Sequence, residues 1–317
     1  MTAADPLAVH RDSVLLTPSA LAALLGLTGH APREVLLLDA TVRLARPERD
    51  GDYRSESGEA EWARAHIPGS RHVDLRTRFT DPGAAYHFGH PAREATRAEL
   101  AALGATPDTV VVLYDQGALQ WATRLWWTLR DAGVPALILD GGLPAWRAAG
   151  LPVVTGPAPT PEPHTPAREF TAARDGDAAR PSHWASLDEV RALSEGRREG
   201  TLLCALGVDQ FEGTAYTRYA RRGRIPGSRS LPAHPVLEVN GTVRPTAELA
   251  AYTARSVPVD LNAPLVLYCG GGISATLVAL AFTLAGRPDV RVYDGSLEEW
   301  TADPHLPVLT GPDAPRL

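Results

Sequence analysis

The chain repeats itself at a nearly fixed distance, and no other feature limits its possible folds as strongly. Val111-Val112-Leu113-Tyr114-Asp115 returns as Leu265-Val266-Leu267-Tyr268-Cys269, an offset of 154 (269 less 115). Asp140-Gly141-Gly142-Leu143, followed by Trp146, returns as Asp294-Gly295-Ser296-Leu297, followed by Trp300, again at 154. Ile67-Pro68-Gly69-Ser70 returns as Ile225-Pro226-Gly227-Ser228 at 158 (225 less 67). A weaker match sets Leu36-Leu37-Leu38-Asp39-Ala40 against Thr201-Leu202-Leu203-Cys204-Ala205. Matches in constant order with small drifts of offset are what duplication followed by loop insertion leaves behind. The length of 317 residues agrees, at roughly 100–200 residues per domain.

Between the copies lies Gly156-Pro157-Ala158-Pro159-Thr160-Pro161-Glu162-Pro163. Proline at alternate positions holds neither a helix nor an inner strand, so an extended, semi-rigid linker is expected. The expected boundaries are 1–155 for the first domain, 156–180 for the Pro-rich linker and 181–317 for the second domain. Within each half, short apolar runs alternate with helical segments. Val35–Leu38, Val110–Leu113 and Ala136–Leu139 read as buried parallel strands, as do Leu202–Leu203, Leu265–Tyr268 and Val290–Tyr293. Leu100–Leu103, Trp121–Leu129, Leu187–Leu193 and Ala275–Leu284 read as helices. The expected fold class is α/β, with two duplicated domains, each a parallel sheet flanked by helices.

Composition excludes several chemistries. All 31 basic residues are Arg, so the Lys of a Schiff base or a P-loop is missing. A net charge of −6 argues against nucleic acid as a partner. Two cysteines make no disulfide framework and give no metal-site spacing. No apolar run reaches the ~18 residues of a membrane span, and Met1 to Val14 does not read as a secretory signal. A free thiol in a reducing cytoplasm is the expectation.

The repeat is most informative where it fails. Asp115 in the first copy is Cys269 in the second, followed by Gly270-Gly271-Gly272-Ile273-Ser274 and an apolar helix. Ligands of open α/β sheets bind beyond the carboxyl ends of the strands, which is where this cysteine falls. Successive glycines let backbone N–H groups turn inward as an anion nest, and a helix N-terminus adds partial positive charge. Both favour thiolate, the nucleophilic form. Cys269 is therefore the expected nucleophile, with residues 270–274 as its anion-binding loop.

Here a resemblance can be stated. The chain resembles the tandem-domain rhodanese family, which includes thiosulfate and 3-mercaptopyruvate sulfurtransferases. The motifs are His66-Ile67-Pro68-Gly69, Val112-Leu113-Tyr114-Asp115, Arg124-Leu125-Trp126-Trp127, Leu139-Asp140-Gly141-Gly142, Cys269-Gly270-Gly271-Gly272 and Tyr293-Asp294-Gly295-Ser296 with Glu299-Trp300. The resemblance implies an inactive first rhodanese-like domain and a catalytic second one. It further implies that a small anionic donor passes sulfane sulfur to Cys269, and that a thiol or cyanide accepts it. No metal or organic cofactor is implied, and a monomer is expected, since the duplicated domains face each other within one chain.

The sequence also departs from the family. The loop lacks the charge of thiosulfate-type loops, and Gly271 lacks the hydroxyl of mercaptopyruvate-type loops. Cys204, Leu206 and Gln210 stand where the family has Asp-x-Arg and a later Arg. Substrate-binding candidates are therefore sought elsewhere: Arg218, Arg222 and Arg224, with Arg221 among them, then Arg43, Arg76, His87 and His90. Arg224 replaces the His that usually precedes Ile-Pro-Gly. Cys204 is either a buried apolar residue or a second, resolving thiol. Asp140, Asp294, Trp146 and Trp300 are expected to serve structure. A cysteine phosphatase needs Cys-x5-Arg, and the sixth residue after Cys269 is Ala275. The other rival is a persulfide carrier or regulatory binding module without turnover.

Overall fold

The computed structural model describes residues 11–29, 34–157, 181–255 and 263–312. The linker expected over 156–180 lies, from residue 158 onward, outside the described residues. On its N-terminal side run β1 (Leu15–Leu16), α1 (Pro18–Leu24), β2 (Val35–Asp39), β3 (Val42–Leu44), β4 (Ser55–Ser57), α2 (Glu59–Arg64) and β5 (Arg71–His72). These are followed by α3 (Arg93–Ala102), β6 (Val110–Tyr114), α4 (Gln120–Asp131), β7 (Leu137–Leu139) and α5 (Gly142–Ala148). Beyond it run β8 (Trp184–Ala185), α6 (Leu187–Ser194), β9 (Thr201–Cys204), α7 (Val208–Phe211), β10 (Arg229–Ser230) and α8 (Thr246–Ala254). The chain continues through β11 (Leu265–Tyr268), α9 (Ser274–Leu284), β12 (Arg291–Tyr293) and α10 (Ser296–Ala302). The strands and helices expected from sequence are present, most of them a residue or more longer; α3 starts earliest, at Arg93 rather than Leu100.

The duplication is complete at the level of topology. One parallel sheet has the order β1-β7-β6-β2-β5, and the other β8-β12-β11-β9-β10, the same path followed twice. Hairpin β3–β4 is an addition to the first copy. The repeated motifs have repeated contacts. Ser70 of the first Ile-Pro-Gly-Ser meets the Tyr114 hydroxyl at 2.8 Å, and Ser228 of the second meets the Tyr268 hydroxyl at 2.7 Å. Trp146 donates its indole N–H to the Pro152 carbonyl, and Trp300 does the same to Pro307, both at 2.8 Å. A buried polar tip must find a partner, so each motif supplies one to the aromatic residue beside it.

The two sheets meet through α4 and α9, the helices that follow Asp115 and Cys269. Residues 275–284 of α9 are all buried, which explains a helix apolar on every side: it lies between the two copies. Each buried Leu, Val or Phe there contributes about 1.5–3 kcal/mol. The Thr276 hydroxyl donates to Thr123 across the seam at 3.2 Å. Arg130 of α4 reaches Thr283 and the Pro288 carbonyl.

Asp131, at the end of α4, ties the halves together. It accepts from Arg93, from Ser182 and from the backbone N–H of His183. Burial alone would raise its carboxyl, but the hydrogen bonds from His183 and Arg93 outweigh it and hold the pKa far below the usual carboxylate range. A depressed folded-state pKa adds stability above the unfolded value of about 3.9, and that stability is lost as pH falls toward the folded value. We therefore expect Asp131→Asn to lose about 2 kcal/mol at pH 7, with the gap from the parent closing below about pH 4. Urea unfolding at both pH values checks this; an equal gap at pH 7 and pH 3 would contradict it.

Candidate active site

Cys269 stands one residue beyond β11, and the loop Gly270–Ile273 leads from it into α9. The loop closes one end of a cavity of about 410 Å³ between the two halves of the molecule. The first half lends Leu44, Tyr53, Gln120 and Trp121; the second lends Leu206, Gln210, Arg218 and Tyr219 beside the loop. Cys269 is 2% exposed, so the cavity is its route to solvent.

The first copy shows what the loop can bind. Asp115 turns its carboxylate back into its own loop. Oδ1 accepts the N–H groups of Gly117 and Leu119, and Oδ2 those of Trp121 and Ala122, at 2.9–3.2 Å. The matching positions in the second copy, 154 residues on, are Gly271, Ile273, Ala275 and Thr276. Thr276 N–H turns to the Ile273 carbonyl; those of Gly271, Ile273 and Ala275 have no hydrogen-bond partner among the described residues. The matching positions enclose a carboxyl group in one copy and lie beside a sulfur in the other, although the left-handed residue is Leu119 in the first loop and Gly272, one place earlier in register, in the second. Unpartnered N–H groups at the head of an eleven-residue helix favour an anion there.

Ser296 holds the loop in shape. It replaces Gly142 of the first copy and keeps its left-handed backbone, with φ of 49° against 57°. That conformation is strained for a residue with a Cβ. Its Oγ accepts the N–H groups of Cys269 and Gly272 at 3.1 and 3.0 Å and donates to the Tyr293 carbonyl. Gly272 has φ of 68°, and a Cβ there would lie 2.7 Å from the Asp294 carbonyl and 2.9 Å from Arg124 Nη1.

Arg124 and Asp294 form a nearly dry ion pair behind the loop. Nη1 meets Oδ1 at 2.5 Å, with both side chains 3% exposed. Nη1 also donates to the Gly272 carbonyl at 3.2 Å, and Nη2 donates to the Phe88 carbonyl. The guanidinium lies over the Trp184 ring at 4.5 Å. Asp294 Oδ2 accepts the His90 N–H at 2.6 Å and the Tyr86 hydroxyl at 3.3 Å. Asp294, expected to serve structure, joins the first half to the loop.

Of the eight Arg and His substrate candidates, Arg218 alone lines the cavity. Its Nε and Nη2 are held by the Ala45 carbonyl, and Nη1 has no partner among the described residues. Arg222 instead pairs with Asp50 and lies over Tyr216. Arg224 is buried, donating to the carbonyls of Phe211, Gly311 and Pro312. Arg221 caps the carbonyls of Thr301, Asp303 and Leu306. Arg43 pairs with Glu61, and Arg76 with Asp74. His90 stacks on Trp184, its ring away from the cavity wall. His87 stands near the rim, stacked on Tyr53 at 3.8 Å. Leu206 and Gln210, where the family resemblance expects arginines, do line the cavity.

Cys204 is wholly buried at the end of β9, beside Tyr268 in register. Burial pushes its thiol up to about 12, so it is a protonated interior thiol at neutral pH and lacks the thiolate of a resolving group. Sequence reasoning missed Tyr53, Tyr219, Arg124, Ser296 and Glu298. The change from Gly142 to Ser296 in the repeat, and an Arg inside a Trp-rich helix, were the available signals.

A family model described as "Rhodanese-like domain" matches residues 51–149 and again 209–303. The chain is 31% identical over 304 residues to a putative thiosulfate sulfurtransferase, SseB, of Mycobacterium tuberculosis, covering 95% of this chain and 98% of that one. It is 32% identical over 307 residues to a probable 3-mercaptopyruvate sulfurtransferase of Pseudomonas aeruginosa, covering 94% and 98%. The crystal structure of SseA from Escherichia coli, which has the rhodanese fold, superposes with a TM-score of 0.70 at 27% identity, covering 90% of this chain and 98% of that one.

Removing one member of a buried pair strands the other. We expect Arg124→Leu to cost about 3–5 kcal/mol and to loosen the loop. Guanidinium unfolding reads the cost; a loss under about 1 kcal/mol would show that the pair does not hold the seam.

Proposed function

Starting from the fact that the chain belongs to the rhodanese family and is a two-domain sulfurtransferase, we propose that it moves a sulfane sulfur from a small anionic donor to a thiophilic acceptor through a persulfide on Cys269. In this reading residues 1–155 form the inactive domain, 156–180 the linker and 181–317 the catalytic domain, acting as a monomer in a reducing cytoplasm. One observation carries it. Cys269 opens on the cavity beside the N–H groups of Gly271, Ile273 and Ala275, which have no partner among the described residues, where the matching N–H groups of the first copy bind Asp115.

The chemistry runs in two halves. Cys269 thiolate attacks the donor's sulfane sulfur. The new S–S bond forms as the donor's bond to that sulfur breaks, and the remainder leaves with the electron pair. Gly271, Ile273 and Ala275 N–H groups hold the anionic outer sulfur. The acceptor then attacks that sulfur and returns Cys269 as thiolate. Arg218 Nη1 orients the donor's anionic group. One guanidinium among apolar walls of Leu44, Trp121 and Leu206 suits a singly charged mercapto-carboxylate better than doubly charged thiosulfate. The wall carries no His, Asp or Glu among the described residues, so His87 near the rim serves as the proton-handling group for a thiol acceptor.

The loss of family arginines at Leu206 and Gln210 favours a second reading, a persulfide carrier with little turnover. Intact mass after incubation with 3-mercaptopyruvate or thiosulfate separates the possibilities. One added sulfur atom, absent in Cys269→Ser, with sustained turnover to cyanide, supports the enzyme. Loading without turnover supports the carrier; no loading from either donor overturns both. Arg218→Ala is expected to raise the donor KM roughly tenfold to hundredfold through loss of a charged hydrogen bond, read from initial rates. An unchanged KM would place the anion elsewhere.

A further inference from the structure

The buried carboxylate of Glu298 has no part in the chemistry described so far. It sits in the third position of α10, and its backbone N–H donates to the Gly270 carbonyl at 2.8 Å, tying it to the catalytic loop. Its Oε1 meets His87 Nδ1 at 2.5 Å and accepts the His87 backbone N–H at 3.3 Å, so it crosses from the catalytic domain to the first one. Its Oε2 is buried with no hydrogen-bond partner among the described residues. That oxygen lies 3.3 Å from where a Cβ on Gly271 would sit, and the Tyr53 hydroxyl lies 3.9 Å from the same point. The carboxylate therefore occupies the space a side chain at Gly271 would need.

We infer that Glu298 is a positioning residue for the second half-reaction: it fixes the His87 ring across the domain interface and sets which of its nitrogens can take a proton. Burial raises the Glu298 carboxyl and the His87 contacts pull it back; in its ionised form it only accepts, so the ring then donates from Nδ1 and leaves Nε2 as the base. Stacking on Tyr53, with ring planes 6° apart, fixes the remaining rotation. The loop offers no acid–base side chain of its own, because the three residues after Cys269 are glycines. The inference rests on the sulfur-transfer reading and assigns a step within it.

The step balances without an outside oxidant or reductant. Nε2 of His87 takes the proton of the acceptor thiol, and the resulting thiolate attacks the outer sulfur of the Cys269 persulfide. The bond between Sγ and that sulfur breaks, Cys269 leaves as thiolate with the electron pair, and His87 returns the proton to the outer sulfur, now part of the acceptor persulfide. The sulfane oxidation level passes intact from one sulfur chain to the other. The groups that face the His87 ring are Glu298 and Tyr53, whose phenol burial, then Glu298, push far above its ordinary value. Arg218 and Cys269 act on Tyr53 from the cavity side, and Tyr86 with Asp294 lies beyond Phe88.

The test uses full-length protein loaded at Cys269 with inorganic polysulfide, so that loading does not depend on the donor. Single-turnover transfer to 2-mercaptoethanol is followed against pH for the parent, Glu298→Gln, His87→Gln and the double variant. Glu298→Gln should slow transfer roughly tenfold to hundredfold. It should also move the acidic limb of the profile to lower pH, because removing a carboxylate disfavours the charged form of a base hydrogen-bonded to it. The double variant should be no slower than His87→Gln alone. Transfer at the parent rate with an unmoved limb, or strictly additive losses in the double variant, would overturn the role of Glu298. His87 is half-exposed, so His87→Gln keeps the test open should Glu298→Gln fail to fold: parent-like transfer in that variant overturns the role by itself. Failure of the parent to accept sulfur at Cys269 would instead overturn the persulfide reading beneath it.

Discussion

The contact on which the rest of the structure depends is the Arg124–Asp294 pair. Taking two charges out of water is expensive, and such a pair holds only if its geometry is good and its remaining donors and acceptors are met. Here they are met from both halves: by Gly272 and Phe88 carbonyls on one side, and by His90 N–H and the Tyr86 hydroxyl on the other. A surface ion pair could drift by an ångström at little cost; a dry one with this many bonds cannot. The loop that carries Cys269 is therefore set against the first half of the molecule, and the cavity has walls from both. The first half supplies the buttress, the Tyr53 and Trp121 walls, and His87 stacked on Tyr53.

The duplicated loops differ by one decisive exchange. Asp115 is buried, and burial raises its carboxyl above the ordinary value even though the four N–H groups around it pull the other way. Its two carboxyl oxygens are the internal occupants of those N–H groups. Cys269 brings a shorter side chain and leaves the N–H groups of Gly271, Ile273 and Ala275 without a hydrogen-bond partner among the described residues.

Much of this was legible in the sequence. The repeat gave the two sheets and their common order, because duplicated strands keep duplicated neighbours. The Gly-rich segment after an apolar run located the loop, because only glycine backbone curls its N–H groups inward so readily. The arginines were a different matter. Arg218, Arg221, Arg222 and Arg224 are close in sequence, but irregular backbone turns successive side chains toward unrelated surroundings, and only Arg218 faces the cavity. Arg222 found Asp50, and Arg224 found Gly311, partners far away in the chain that no local pattern reveals. Cys204 shows the same limit: its place at a strand end was readable, its complete enclosure was not. Glu298 was invisible because its meaning comes from His87, 211 positions earlier.

The most direct measurement is a crystal structure of the protein after exposure to 3-mercaptopyruvate. The account predicts one additional sulfur bonded to Cys269 Sγ, within hydrogen-bond distance of the Gly271, Ile273 and Ala275 N–H groups, with Cys204 unchanged. A sulfur on Cys204, a bond between the two cysteines, or a persulfide on Cys269 turned away from those N–H groups would contradict it.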